Sequence, residues 1–171
     1  MSRISYVKSK IVSLDEAILK VNAWKMKQQK VVFTNGCFDI LHLGHVSYLA
    51  QAADLGSKLI VALNTDASVK KLGKGEDRPI NKEQERMQVI ASLAFVDLVL
   101  LFTEETPFET IQALLPDVLV KGADYDPTIS DKQNKKYIVG SDLVLANNGL
   151  VKVIDLEDGF STTKLIEKIK S

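Results

Sequence analysis

The chain of 171 residues carries 22 basic and 22 acidic side chains, so its formal net charge is zero and no global field draws it toward nucleic acid or a membrane surface. Its apolar share of 46% and charged share of 26% are those of a globular protein, and one domain of this length buries roughly 70% of its unfolded surface. A single cysteine, Cys37, excludes an internal disulfide framework; the polar N-terminus lacks the apolar centre of a secretory signal, and no apolar run approaches the ~20 residues that cross a bilayer, so a soluble, cytoplasmic protein is expected.

Taken in chain order, Ser13 and Glu16 form an S-x-x-E capping box, and Leu14, Ala17, Ile18, Val21 and Trp24 make the apolar stripe of the helix behind it. Lys30–Thr34 reads as a buried strand. The helix that follows carries Val46, Leu49, Ala50 and Ala53 on one face and stops near Gly56. Lys58–Asn64 is a second strand, followed by a short helix and a polar, glycine-bearing loop over Lys70–Pro79. Met87, Ile90, Ala91 and Ala94 mark another helix, and Val96–Phe102 a third strand. Pro107 opens a helix that ends before Pro116. Asp117–Lys121 and Val151–Leu156 are the fourth and fifth strands, and Leu165, Ile166 and Ile169 give an apolar face to a closing helix. Asp124–Lys136 reads as a flexible excursion.

Strands of unbroken Val, Ile and Leu character belong to a parallel sheet covered on both faces. Their alternation with helices, joined by right-handed crossovers, gives an α/β architecture: a Rossmann-like, doubly wound, five-stranded parallel sheet with helices on both faces. A single domain is expected over residues 1–171, with 1–29 as an N-terminal helical extension and 30–171 as the core. Ligands of such sheets bind beyond the carboxyl ends of the strands, at the switch point. Asn35–Gly36, Asn64–Asp66, Lys121–Gly122 and the stretch after Leu156 all fall at such ends, which argues for one shared site.

His42 and His45 are three residues apart and share a helical face, with Gly44 between them admitting a close approach to the backbone. At a helix N-terminus the unpaired N–H groups and the macrodipole favour an anion such as phosphate. The same dipole disfavours an imidazolium, so these histidines rest neutral and act as donors toward charge developing on phosphoryl oxygens. Helix capping is the plainer role for an isolated histidine; zinc lacks a third ligand nearby. Ser161–Thr162–Thr163–Lys164 is either an ordinary helix cap or a second phosphate-binding terminus, and the two are compatible. Lys70, Lys71, Lys74 and Arg78 form a basic cluster, either solvated surface or a phosphate clamp. Glu85–Arg86 is either a surface pair or an anchor for that loop. Asp39 binds substrate, or a magnesium shell, or fixes the turn. Cys37 is read as a small buried residue, not a nucleophile. Neither a Walker A sequence nor a G-x-G-x-x-G fingerprint is present, so the chain is neither an ordinary kinase nor a dehydrogenase.

His42-x-Gly44-His45 after a strand, with Ser161–Thr162–Thr163 opening a late helix, resembles the HxGH nucleotidyltransferase superfamily. Within it, TNGCFDILHLGH at 34–45, VALNTDASVKKL at 61–72, Arg78–Asn81 with Glu85–Arg86, LLPDVLVKGADY at 114–125 and STTKLIEKI at 161–169 look like the heptose 1-phosphate adenylyltransferases. These form the adenylyltransferase half of the bifunctional ADP-heptose synthesis enzymes. The resemblance runs from about Ser13 to the end of the chain; Leu43 within the motif and the polar Asp131–Lys136 stretch depart from it, and Leu43 is expected to point away from phosphate.

The resemblance implies transfer of AMP from ATP to D-glycero-D-manno-heptose 1-phosphate, with magnesium carried on the triphosphate. By it, Thr34, Asn35, Gly36, Phe38, Gly44 and Asn64 serve the nucleotide. His42, His45 and Lys71 act on the transferring phosphate, while Ser161, Thr162 and Thr163 hold the leaving phosphates. Asp39, Arg78, Lys121 and Asp124 serve the sugar phosphate. It also implies a homo-oligomer and a separate kinase to supply the acceptor. The nearest alternative is a cytidylyltransferase acting on glycerol 3-phosphate or a related polyol or amino-alcohol phosphate. A catalytically silent nucleotide-binding module is the alternative of another class, and the intact His42, His45 and Lys71 argue against it.

Overall fold

The computed structural model describes residues 1–72, 77–155, 157 and 159–170. Five strands, β1 (Val31–Gly36), β2 (Lys58–Asn64), β3 (Leu98–Phe102), β4 (Val118–Gly122) and β5 (Leu150–Ile154), lie in the order β3-β2-β1-β4-β5. Every pairing is parallel. This is the doubly wound Rossmann-like sheet that the sequence pattern predicts. Its order reverses between β1 and β4, which places the switch-point crevice at their carboxyl ends.

Alternation along the strands decides which residues face which helical layer. Val32, Leu59, Val61 and Leu63 point to one side, where they meet Tyr48, Leu49 and Ala52 of α3 (Leu43–Ala53) and Met87, Ile90 and Ala91 of α5 (Glu83–Ala91). Val31, Phe33, Ile60, Ala62, Leu98 and Leu100 point to the other. There they meet Ala17 and Val21 of α2 (Leu14–Met26), Ile111 and Leu114 of α6 (Phe108–Leu114) and Val144 of α7 (Ser141–Ala146). Both sides of the sheet are therefore dry, which is why its central strands read as continuous apolar runs. α2 begins at the expected capping box, with Ser13 and Glu16 satisfying each other's backbone N–H groups.

The differences from the sequence reading are local. β1 runs on to Gly36, because Asn35 and Gly36 stay in register with Ala62 and Leu63. β3 and β4 begin one or two residues later than expected, since Asp97 and Asp117 bracket the sheet instead of entering it. The Asp97 carboxylate accepts from the Leu59 N–H at 2.9 Å, and that of Asp117 from the Val31 N–H at 2.7 Å. The fifth strand ends at Ile154, and Leu156 lies outside the described residues. α1 (Arg3–Ser9) and α7 are too short for periodicity to announce, and α1 buries no residue. Between α1 and α2, Ile11 bridges Val99 and so prolongs the β3 edge. The stretch 124–136 holds no helix or strand; Asp126, Asp131 and Asn134 each accept a backbone N–H two residues on. Among the described residues no helix is long and apolar enough to cross a membrane.

Candidate active site

At the carboxyl end of β1 the chain turns sharply. Phe38 adopts a left-handed φ of 44° and folds its ring back over Gly36, where an added Cβ would come within 2.9 Å of the ring. A side chain at 36 would therefore have to push the Phe38 ring aside. The turn is held from below by two buried charges. Both carboxylate oxygens of Asp39 are engaged by the segment 78–81: Arg78 Nε pairs with it, the Ile80 N–H donates at 3.0 Å and the Asn81 N–H at 2.9 Å. Of the roles open to Asp39, fixing the turn is the one this geometry fills, and it leaves Arg78 lining the cavity. Arg86 is 1% exposed and donates to the carbonyls of Cys37 at 2.7 Å, Asn64 at 2.8 Å and Asn81 at 3.1 Å, and to the Asp66 carboxylate at 2.7 Å. One guanidinium therefore ties the ends of β1 and β2 to the segment after Arg78. The pair Glu85–Arg86 is an anchor and not a surface ion pair.

After the turn, His42 stands at the N-cap of α3 and His45 in its first turn. Their rings stack at 3.8 Å between centroids, with an angle of 20° between planes. Phe38 packs edge-on against His45 at 5.2 Å. Burial pushes the His42 imidazole below its ordinary value of 6.5, so it rests neutral at pH 7, as the helix dipole also favours. The His42 side chain makes no capping hydrogen bond, so the cap role expected of an isolated histidine is not the one it plays. Leu43 points outward at 52% exposure, as expected.

These groups line a cavity of about 480 Å³, a size fit for a small-molecule ligand. Its walls include Asn35, Gly36, Phe38 and Asp39 from the turn, His42, Gly44 and His45 from α3, and Lys121 and Asp124 from the end of β4. Ser161, Thr162 and Thr163 close it from the start of α8 (Thr162–Lys170). Two helix N-termini thus open on one space. Lys121 Nζ is 3.2 Å from Asn35 Oδ1 and lies 4.5 Å from the centre of the Tyr125 ring. Phe160, 6.4 Å from His42 between ring centres, completes the wall.

Three predicted residues fall elsewhere. Thr34 is fully buried beneath the floor, its hydroxyl 2.7 Å from that of Tyr48. Asn64 turns its amide to Ser68 at 2.9 Å and lines a smaller neighbouring cavity. Lys71 is exposed at the end of α4 (Asp66–Lys71) and lines neither cavity. Of the other basic-cluster residues, Lys74 lies outside the described residues. The sequence reading missed Tyr48 and Phe160: a lone aromatic carries no signal of which wall it joins. Among the described residues no group of three or more His, Cys, Asp or Glu side chains is gathered to hold a metal.

A Rossmann-like sheet with two helix N-termini, paired imidazoles and hydroxyls converging at its switch point defines an enzyme that handles nucleotide phosphates. The family model for the cytidylyltransferase-like domain matches residues 33–168, and the chain belongs to that family; it is a nucleotidyltransferase. It is similar to the bifunctional protein HldE of Azorhizobium caulinodans, with 53% identity over 161 residues, 94% of this chain and 32% of that protein. To the bifunctional protein HldE of Campylobacter jejuni subsp. doylei the identity is 51% over 169 residues, 99% of this chain and 33% of that one. The chain thus spans about a third of the length of the curated relatives it matches. Among solved structures, the lipopolysaccharide core biosynthesis protein of Thermoplasma volcanium GSS1 aligns with a TM-score of 0.57 and 29% identity, over 75% of this chain and 97% of that one. Pantoate-beta-alanine ligase of Francisella tularensis aligns with a TM-score of 0.60 and 18% identity, over 94% and 76%, a likeness of fold alone.

Proposed function

We propose that the chain transfers the AMP moiety of ATP to D-glycero-D-manno-heptose 1-phosphate, giving ADP-heptose and pyrophosphate for lipopolysaccharide core synthesis. The observation that carries nucleotidyl transfer is the convergence of two helix N-termini, with His42, His45 and the Ser161–Thr163 hydroxyls, on one cavity. The choice of heptose rests on the likeness to the HldE proteins over nearly the whole chain. The name of the Thermoplasma neighbour supports the same pathway.

The acceptor's phosphate oxygen already carries negative charge, so no strong general base is needed. That oxygen forms a bond to the α-phosphorus as the bond to the bridging oxygen breaks, and the electron pair leaves with pyrophosphate. Catalysis is positioning and charge neutralisation. His42 and His45 donate to the oxygens of the five-coordinate phosphorus. Thr162 and Thr163 hold the leaving phosphates at the start of α8. Asn35, Gly36 and Phe38 bound the nucleotide's side of the turn, and Lys121 and Arg78 meet the acceptor's phosphate. Asp39 serves through Arg78. Magnesium enters as MgATP, with water completing its shell. In this reading the enzyme is a cytoplasmic homo-oligomer.

The test is pyrophosphate release with magnesium across ATP or CTP against heptose 1-phosphate or glycerol 3-phosphate. Turnover confined to ATP with heptose 1-phosphate supports the proposal. Turnover with CTP and glycerol 3-phosphate keeps the phosphate chemistry and overturns the substrates, and a blank grid overturns the reaction.

A further inference from the structure

On the far side of the Asn35–Gly36 turn lies a second cavity of about 180 Å³. It shares Asn35, Gly36, Cys37, Lys121 and Tyr125 with the larger one, so these residues are a common wall and not the lining of separate sites. Its other polar groups are Asn64 at the end of β2, and Glu105 and Thr106 in the turn that leads into α6. That turn is tethered: the Asn64 amide donates to Ser68 Oγ at 2.9 Å, and Ser68 Oγ donates to the Glu104 carbonyl at 3.2 Å. The residue before Glu105 and Thr106 is thus tied to the end of β2. None of the phosphate-handling groups of α3 or α8 reaches this space.

We propose that this smaller cavity seats the polyhydroxyl part of the acceptor, with Glu105 and Thr106 reading its hydroxyl groups. The inference rests on the adenylyltransferase reading above and deepens it. In an in-line transfer the acceptor's phosphate has to lie against the α-phosphorus, hence at the common wall, and the rest of the acceptor has to project away from the leaving pyrophosphate. Among the described residues, that wall continues into a second cavity toward Asn64, Glu105 and Thr106. The space is too small for a nucleotide, and its charges are polarised: Lys121 on the wall suits a phosphate, whereas the Glu105 carboxylate repels one and accepts hydrogen bonds from hydroxyls. A sugar 1-phosphate carries that pair of features in that order.

The experiment is calorimetric binding of heptose 1-phosphate, with inorganic phosphate as control, to the full chain loaded with a non-hydrolysable ATP analogue, in wild type, Glu105→Gln and Thr106→Val. The expected result is heptose 1-phosphate binding weakened about tenfold or more in Glu105→Gln and about threefold in Thr106→Val, as losses of a charged and a neutral hydrogen bond. Inorganic phosphate and ATP-analogue affinities stay unchanged. Equal heptose 1-phosphate affinity in all proteins, or none in wild type, overturns the assignment. Pyrophosphate release, measured in parallel, separates the two ideas. Turnover with Glu105-independent acceptor binding sinks this inference alone, and Glu105-dependent binding without turnover sinks the adenylyltransferase reading alone.

Discussion

Gly44→Ala separates the folding role of the HxGH glycine from its role in the site. In α3 the substitution is geometrically permitted, and helix propensity favours alanine by at most about 1 kcal/mol. A Cβ there would meet Phe160 Cβ at 3.1 Å and His42 Cε1 and Nδ1 at 3.3 Å, each inside the 3.4 Å at which ordinary contact begins. Phe160 Cβ sits next to the backbone and cannot swing aside like the tip of a long side chain. Either the start of α8 or the His42 ring therefore yields by a few tenths of an ångström. A misplacement of about 1 Å costs roughly 100-fold in rate, so a few tenths cost about 3- to 10-fold in kcat. Thermal denaturation should show an unchanged Tm or a rise of about 2–4 °C, while steady-state pyrophosphate release falls. Full activity in the stable variant would refute the claim that the α3–α8 spacing is set by glycine at 44. A drop of several degrees in Tm would show instead that packing, not positioning, demands it.

His45→Ala should fold, retain ATP binding and lose about 100-fold or more in kcat, as removal of a transition-state donor does; turnover near wild type contradicts the imidazole role. Burial holds His42 below its ordinary value of 6.5, so the unfolded chain binds the proton that the folded chain refuses. Stability of the unliganded protein should therefore fall as pH drops below about 6.5, and ATP binding there should take up a proton, read as a buffer-dependent calorimetric enthalpy; a buffer-independent enthalpy refutes it. Arg86→Met leaves buried carbonyls of Cys37 and Asn64 without their donor, and should cost roughly 3 kcal/mol in urea denaturation; a loss under about 1 kcal/mol shows that water or another side chain replaces it.

The sheet was legible because its evidence is local. Val31–Phe33, Leu59–Leu63 and Leu98–Leu100 are apolar on every residue, and only a strand dry on both faces has that composition. The position of the site followed from fold rules, since Asn35, Lys121 and Ser161 come after apolar runs whose ends share one edge. What the sequence hid depends on long-range pairing. Asp39 offered three roles, and only the approach of Arg78 and Asn81 selects one. Arg86 reads as half of a surface pair or as a loop anchor until the ends of β1 and β2 are seen to close over it. Lys71 lies near the motifs in sequence, yet the register of α4 leaves it outside both cavities.

A chain without net charge still has to attract a highly charged nucleotide, and the arrangement of the site shows how. Among the described residues its cations are positioned in advance: Arg78 by Asp39, Arg86 by Asp66 and carbonyls, and Lys121 by Asn35 and the Tyr125 ring. To the Lys121 charge, which these neutral partners orient but do not cancel, two helix N-termini add a field that acts within a turn's length and is fixed in direction. Two stacked imidazoles 3.8 Å apart could not both be charged in the empty site without repelling one another by about 4 kcal/mol at an effective dielectric of 20. In the proposed reaction the arriving triphosphate offsets that repulsion, so a charged pair is tolerated only beside bound phosphates. In the proposed reaction His42, held neutral at rest by its burial, gains charge only beside the bound triphosphate and not for a stray anion held at long range.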